Sequence, residues 1–263
     1  HGVEAVRSMN ARRIVSLSPS NTEILYELGV QEQVVATTAV CDEPAAAREK
    51  PSVGGWTNPD IEDVASHDPD LVLASDELQD RAVKLCEEAG LPVKQLTPTT
   101  LQDVFNTVKQ VGELVDAEER ARDVVDTMND RVRDAAVLPE QRPRVYCEEW
   151  HDPPMAGGNW VPGMVRLAGG EPFLEGGERS RPVSADELQA FDPEHIVIHY
   201  CGFGDAADTG RVREREEWAD IGAVEEGNVH VVDDALLNRP GPRLVDGVER
   251  LAELLHGSEQ SRT

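Results

Sequence analysis

One stretch of this chain is written nearly twice. Glu62-Asp-Val-Ala-Ser-His-Asp-Pro-Asp-Leu-Val-Leu-Ala74 returns 124 residues later as Asp186-Glu-Leu-Gln-Ala-Phe-Asp-Pro-Glu-His-Ile-Val-Ile198. Each copy reads as a short helix, a turn and a buried strand. An acidic residue at the start suits the positive end of a helix. The Asp-Pro pair stops the helix, because a residue before proline avoids helical angles. The apolar run that follows fits a strand covered on both faces. A unit repeated once at such range implies two similar lobes, since solenoid periods are far shorter. Two lobes imply a cleft, the usual place for a ligand.

The rest of the chain fits this plan. Residues 13–18 read as a strand that Pro19 ends, and Ser20-Asn-Thr-Glu23 matches a capping box at the start of a helix closed by Gly29. Strands follow at Val34 to Thr37 and Val93 to Leu96, with a helix near 77–89 before the latter. Alternating strands and helices of this length indicate a parallel sheet. From Leu101 to Val137 the pattern is helical, with Asp116 expected to cap a second segment. Such a helix can extend from lobe to lobe and keep their relative motion small. A second α/β lobe opens with a strand at Pro143 to Cys147. It contains the second repeat copy, a strand at Val229 to Val232, and a terminal helix from Leu244 to Leu255. The expected fold is α/β: two Rossmann-like lobes with parallel sheets (12–100 and 143–256), joined by a long interlobe helix (101–138), with the ligand cleft between them.

Charge narrows the function. The chain of 263 residues carries 51 acidic and 25 basic residues, a net charge of −26, with four lysines. Nucleic acid is excluded as a partner, since phosphate binding needs a basic face. The acidic residues interleave with clean strand and helix patterns, so the surplus reads as a solvated surface suited to concentrated salt. The four cysteines, Cys41, Cys86, Cys147 and Cys201, form no Cys-x-x-Cys pair, so no zinc site is signalled. Cys86 fits a buried helical stripe. The other three fall at expected strand ends, as ordinary residues or as cleft lining. No stretch reaches the roughly 20 apolar residues that span a bilayer. The opening His1-Gly-Val-Glu-Ala-Val-Arg-Ser-Met-Asn10 lacks the apolar core of a signal peptide. Either a leader was removed or the protein is cytoplasmic.

Candidate chemistry gathers in loops. Trp56, Trp150 and Trp160 lie in segments rich in Gly, Pro and Asn, near strand ends where open parallel sheets bind ligands. Each alone reads as a core cap; together they point to a large, flat, partly apolar ligand. There is no nucleophile elbow, phosphate loop or dinucleotide fingerprint. His195 and His199 fall on a strand and read as structural. Glu148, Glu149, His151 and Asp152 are dense enough to hold a metal, yet a solvated loop suits so acidic a chain better.

Ile14-Val-Ser-Leu-Ser-Pro-Ser-Asn-Thr-Glu-Ile-Leu25, the run from Gly54-Gly-Trp-Thr-Asn-Pro-Asp-Ile-Glu62 to Asp68-Pro-Asp-Leu-Val72, and Asn238-Arg-Pro-Gly-Pro-Arg-Leu-Val-Asp246 resemble the helical-backbone substrate-binding proteins of ABC importers. These carry cobalamin, iron-siderophores or haem. The resemblance is closest to cobalamin binders, with Trp56 standing where they set a tryptophan against the corrinoid. It implies a monomeric carrier without turnover. The ligand, cobalamin or another corrinoid, would meet Trp56, Trp150, Trp160, Arg181, Arg239, Asn238, Cys41 and Cys201, with Asn238 replacing an acidic residue. It also implies one permease-docking carboxylate per lobe: Glu62, and Asp186 or its neighbour Glu187. A carboxylate there can pair bidentately with arginine, or it can simply cap its helix. Glu149-Trp150, Ala156-Gly-Gly-Asn-Trp-Val-Pro162 and Cys201-Gly-Phe203 are similar to a branch of corrinoid binders, many of which lack secretion signals. The location is therefore extracytoplasmic with the leader removed, or cytoplasmic. An iron-siderophore would call on Arg179, Arg181 and Arg239, and haem on Tyr200, His151 or Met155. A rival of another class is a cytoplasmic corrinoid- or metal-handling enzyme using Glu148 to Asp152 and Cys201.

Overall fold

The computed structural model describes residues 12 to 257. The opening His1 to Asn10, on which the leader question turns, lies outside the described residues. The chain divides into two compact units. One holds the residues up to Pro98 together with Phe105–Thr127; the other holds Thr99–Val104 and everything from Met128.

In the first unit β1 (Ile14–Ser16), β2 (Val34–Thr37), β3 (Leu71–Ser75) and β4 (Val93–Leu96) make a wholly parallel sheet in the order β2-β1-β3-β4. Ile14, Val15 and Ser16 sit opposite Leu71, Val72 and Leu73, and all six are buried. This double cover explains why Leu71 to Ala74 runs apolar without alternation. Helices α1 (Pro19–Glu27), α2 (Ile61–Ser66) and α3 (Asp80–Glu88) complete the alternation. The cap of α1 is Ser18, whose Oγ accepts the Asn21 N–H, with Pro19 as the first helical residue. The helix start therefore lies two residues before the expected Ser20, and its cap is a single hydrogen bond in place of the expected capping box. Proline lacks the N–H that a helix start cannot use, so Pro19 begins the helix instead of only ending the strand.

Two helices follow, α4 (Leu101–Leu114) and α5 (Glu118–Ala135). Asp116 does not cap α5: it lies in left-handed backbone at φ 59°. The first α5 turn instead closes on the Ala117 carbonyl, which accepts the Ala121 N–H at 2.9 Å.

The second unit contains β5 (Arg144–His151), β6 (Pro154–Ala156), α6 (Val161–Leu167), β7 (Glu171–Pro172), β8 (Arg181–Pro182), α7 (Ala185–Phe191), β9 (His195–Ile198), α8 (Gly210–Arg213), α9 (Gly222–Glu225), β10 (Val229–Val231) and α10 (Leu244–His256). Its sheet runs β10-β9-β5-β6-β8, with β7 also on β5. The strands β10, β9, β5 and β7 are parallel, while β6 and β8 add antiparallel pairs. The short strands β6, β7 and β8 were invisible in the sequence because each contains proline, which sheets accept at edges and strand ends. Along β5 and β9 the faces alternate. Val145, Cys147 and Val197 pack with Met164 and Leu251, whereas Tyr146, Ile196 and Ile198 pack with Leu188 and Trp218. Strand β5 runs four residues beyond the expected end at Cys147, so Cys147 is mid-strand and buried. Burial pushes its thiol up to about 12.

Both repeat copies fold alike, α2 into β3 and α7 into β9. Asp68 and Asp192 each adopt left-handed backbone at φ 46°. Their N–H groups close the helix ends on Ala65 and Leu188. The Asp-Pro stop is thus a left-handed cap made by a short polar side chain, followed by a proline that cannot continue the helix.

Candidate functional site

In the first unit one residue organises the loops at the carboxyl ends of the strands. Asp76, at φ 61°, turns the chain after β3 and caps a short helical turn through Leu78 N–H. That turn drives Gln79 inward, where it is fully buried. Its Oε1 accepts the Ser75 N–H at 2.7 Å, while Nε2 donates to Leu17 O at 2.9 Å and to Trp56 O at 2.7 Å. A single carboxamide thereby ties β1, β3 and the Trp56 loop together. The Trp56 side chain is half-buried, and its Nε1–H meets no acceptor among the described residues. A buried donor left unpaired costs about 1–3 kcal/mol. Cys41 is buried. It is 3% exposed, with Sγ 3.3 Å from Thr38 Oγ1.

In the second unit the expected solvated loop at Glu148 is strand, and Glu148 is fully buried. Arg215 holds its carboxylate with two nitrogens, Nη1 to Oε2 at 2.7 Å and Nη2 to Oε1 at 3.0 Å. Tyr200 and Tyr146 donate their hydroxyls to Oε1 and Oε2 at 2.5 and 3.2 Å. Burial first and the Glu148 charge second raise both tyrosines above their ordinary range. The guanidinium also stacks 4.1 Å from the Trp218 ring. Such a carboxylate has every lone pair engaged and none left for a metal. Among the described residues no group of three His, Cys, Asp or Glu is arranged to hold one. Above this network lies an aromatic cluster. Trp150 and Phe203, each 36% exposed, meet edge to face at 6.3 Å, and His151 contacts Trp150, Tyr200 and Phe203.

Beside it, Asn238 is committed at both ends. Its Oδ1 lies 2.5 Å from His199 Nδ1, and its Nδ2 donates to His199 O and to Cys201 Sγ. Asn238 therefore braces the turn after β9 and has little left for a ligand. His199 is fully buried, and burial lowers its pKa. Cys201 is exposed as a residue, but its sulfur is crowded. Burial first, then Glu149 and Asp234, push the thiol up to about 12. A thiol so poor in thiolate is a weak nucleophile. Trp160 is 7% exposed within a core cluster, and its Nε1 donates to Leu237 O at 2.7 Å. It is a core cap, which leaves Trp150 as the exposed tryptophan of this unit. Arg181 pairs with Glu187 at 3.0 Å and lies 5.5 Å from the Phe173 ring. Arg239 is half-buried.

The repeat carboxylates resolve into two kinds. In α2 the cap is Asp60, whose Oδ1 accepts the N–H groups of Glu62 and Asp63. In α7 Ser184 and Glu187 form a reciprocal capping box. Those hydrogen bonds, then Arg181, hold the Glu187 carboxyl below its usual value. Glu62 and Asp186 occupy the same second helical position and are exposed, and their carboxylates take no part in either cap.

A family model described as "Periplasmic binding protein" matches residues 14–236. The chain belongs to the periplasmic binding protein family. Among its relatives is the uncharacterized ABC transporter substrate-binding lipoprotein YvrC of Bacillus subtilis, 28% identical over 93% of this chain and 80% of YvrC. Another is the cobalamin-binding protein of Halobacterium salinarum, 28% identical over 94% of this chain and 70% of that one. A periplasmic heme-binding protein from Pseudomonas aeruginosa superposes with a TM-score of 0.80 at 25% identity, covering 94% of each chain.

Sequence reasoning missed the residues that position this family member's loops. Gln79 falls in the polar first turn of the helix expected near 77–89, and Arg215 lies in Arg211-Val-Arg-Glu-Arg-Glu216, a run that reads as solvated charge. Phe203 stands in the Cys201-Gly-Phe203 motif with no role of its own in the sequence. The available signal was Tyr146, two residues before Glu148 and so on the same strand face.

Proposed function

We propose that this protein is the substrate-binding component of an ABC importer, capturing cobalamin or a related corrinoid outside the cytoplasm and passing it to a permease. The importer role draws support from the family membership and from YvrC, and the corrinoid from the Halobacterium salinarum relative. The observation that carries the ligand reading is Trp56. Gln79 holds the Trp56 backbone carbonyl at the carboxyl ends of the strands, which places the half-buried indole there, and the indole N–H has no acceptor among the described residues. A corrin ring is flat, and its face would rest on the half-buried indole. Trp150 supplies the second unit's exposed indole, and Arg239 a polar contact. Glu62 and Asp186 are the permease-docking pair, because caps elsewhere leave their carboxylates available for arginine. The raised Cys201 thiol and the fully engaged Glu148 favour a carrier over an enzyme.

The test is titration with cyanocobalamin and dicyanocobinamide in molar salt, following tryptophan fluorescence and the corrinoid spectrum. Saturable one-to-one binding is expected, weakened by Trp56→Ala. Absence of binding up to about 50 μM would remove the corrinoid assignment. Haem is the second reading, favoured by the half-buried His151 imidazole in the aromatic cluster. It predicts a shifted haemin absorption band that His151→Ala abolishes.

A further inference from the structure

We propose that Arg215 is a positioning residue of the ligand site: clamped by buried Glu148, its guanidinium sets the end of β5 and so aims Trp150 and the aromatic cluster around it. The inference rests on the corrinoid reading for its ligand.

The need for such a device comes from the strand itself. Strand β9 follows β5 only as far as Ile198 opposite Glu148, and the β5–β6 pairing shifts register between Glu148 and Trp150. A bulge re-aims side chains and loosens the ladder at the point where it occurs. Beyond the bulge Trp150 and His151 pair only with Met155 and Pro154 of β6, with no β9 residue opposite them, so the ladder holds them from one side. Arg215 supplies the hold that β9 does not. Its Nη2 donates to His151 O at 2.9 Å while the same guanidinium grips the Glu148 carboxylate, two residues before Trp150. The strand end is thus held at both sides of Trp150 by one rigid planar group.

The second link runs through Tyr200. Its hydroxyl donates to Glu148, and its ring contacts both His151 and Phe203 at 5.3 and 6.0 Å. The buried charge pair therefore fixes the cluster from two directions, through the β5 backbone and through the ring beneath it. The Arg215 side chain is 14% exposed and its partner fully buried, so the cation is neutralised internally and offers no charge to a ligand. What the cluster presents outward is two uncharged aromatic rings, Trp150 and Phe203. That chemistry suits the face of a flat, conjugated macrocycle better than a carboxylate-rich chelate.

Removing one charge alone would strand the other in the interior and risk misfolding. The test is the paired replacement Glu148→Gln/Arg215→Met, alone and combined with Trp150→Phe. It is read by far-UV dichroism for folding, by the Trp150 contribution to near-UV dichroism in the free protein, and by cyanocobalamin affinity. The expected result is a folded protein that has lost the Trp150 near-UV signal and binds about tenfold more weakly. In the Trp150→Phe background the paired replacement should cost less than about twofold further, because the two changes act through one residue. A folded variant with parental affinity, or losses that multiply independently of Trp150, would overturn the proposal. If the parent itself fails to bind cyanocobalamin, the corrinoid reading falls by itself. The near-UV signal then still decides: retention of the Trp150 band in the paired variant refutes the positioning role.

Discussion

Replacing Gln79 by alanine should loosen the first unit and its tryptophan loop together. The carboxamide satisfies three backbone groups, Ser75 N–H, Leu17 C=O and Trp56 C=O, at 2.7, 2.9 and 2.7 Å. Leu17 C=O keeps a long contact from Thr38 Oγ1 at 3.5 Å, which leaves two groups orphaned. At about 1–3 kcal/mol for each buried group left unpaired, with some relief where water reaches the Trp56 carbonyl, the loss is about 2–4 kcal/mol. Urea denaturation measures it as a lower midpoint at unchanged slope. Corrinoid affinity should fall as well, since the Trp56 loop loses its tie to β1 and β3. Gln79→Glu separates the two halves of the argument. It keeps an acceptor for Ser75 but turns an oxygen toward two carbonyls, so at neutral pH it should be no more stable than the alanine variant. A loss below about 1 kcal/mol in Gln79→Ala, or a Gln79→Glu protein as stable as the parent, would refute the reasoning.

Three further outcomes are expected. His195 and His230 stack across β9 and β10, with ring nitrogens 3.2 Å apart. Burial leads in lowering both, reinforced by His230 and His256 around His195 against Glu194, and by Arg250 and Arg213 around His230. The folded state thus holds fewer protons than the unfolded one below the ordinary value of 6.5, so stability should fall as pH drops from there. Denaturation midpoints at stepped pH would show this, and a His195→Gln/His230→Gln protein with the same acid dependence would refute it. Reversing both carboxylates proposed to dock, Glu62→Lys/Asp186→Lys, should leave corrinoid affinity within about twofold and abolish stimulation of the permease ATPase. Unaltered stimulation would return these residues to a merely solvated role. Glu187→Ala should instead lower the melting temperature through loss of the capping box. Finally, with a net charge of −26, the denaturation midpoint should rise as potassium chloride goes from about 0.1 to 2 M, where the Debye length shrinks to a few ångströms. A flat or falling midpoint would show that self-repulsion does not limit stability.

Local signals sufficed where a residue's role is set by its chain neighbours. The repeat at Glu62 and Asp186 specified two helix-to-strand units, because left-handed Asp68 and Asp192 followed by proline end a helix in any context. The doubly buried strands β3 and β9 were legible as unbroken apolar runs, whereas β1, whose sequence alternates, gave no sign that both its faces are covered. Capping was read less well: Ser20 and Asp116 had cap-forming side chains, yet Ser18 and Ala117 took those positions once proline and a left-handed turn shifted the frame. The tryptophans show the limit most plainly. Trp56, Trp150 and Trp160 look alike as residues in glycine-rich loops. Only packing separates Trp160, buried on Leu237, from Trp150, exposed beside Phe203. Gln79 and Arg215 were silent altogether. Their partners lie up to 62 and 67 residues away, and a buried polar side chain has no periodicity to betray it. Its position is dictated by which backbone groups the tertiary fold leaves unpaired. The two helix-to-strand units and the exposed carboxylates at their helix starts could be read along the chain, whereas the side chains that hold the loops exist as a set only after the strands have met.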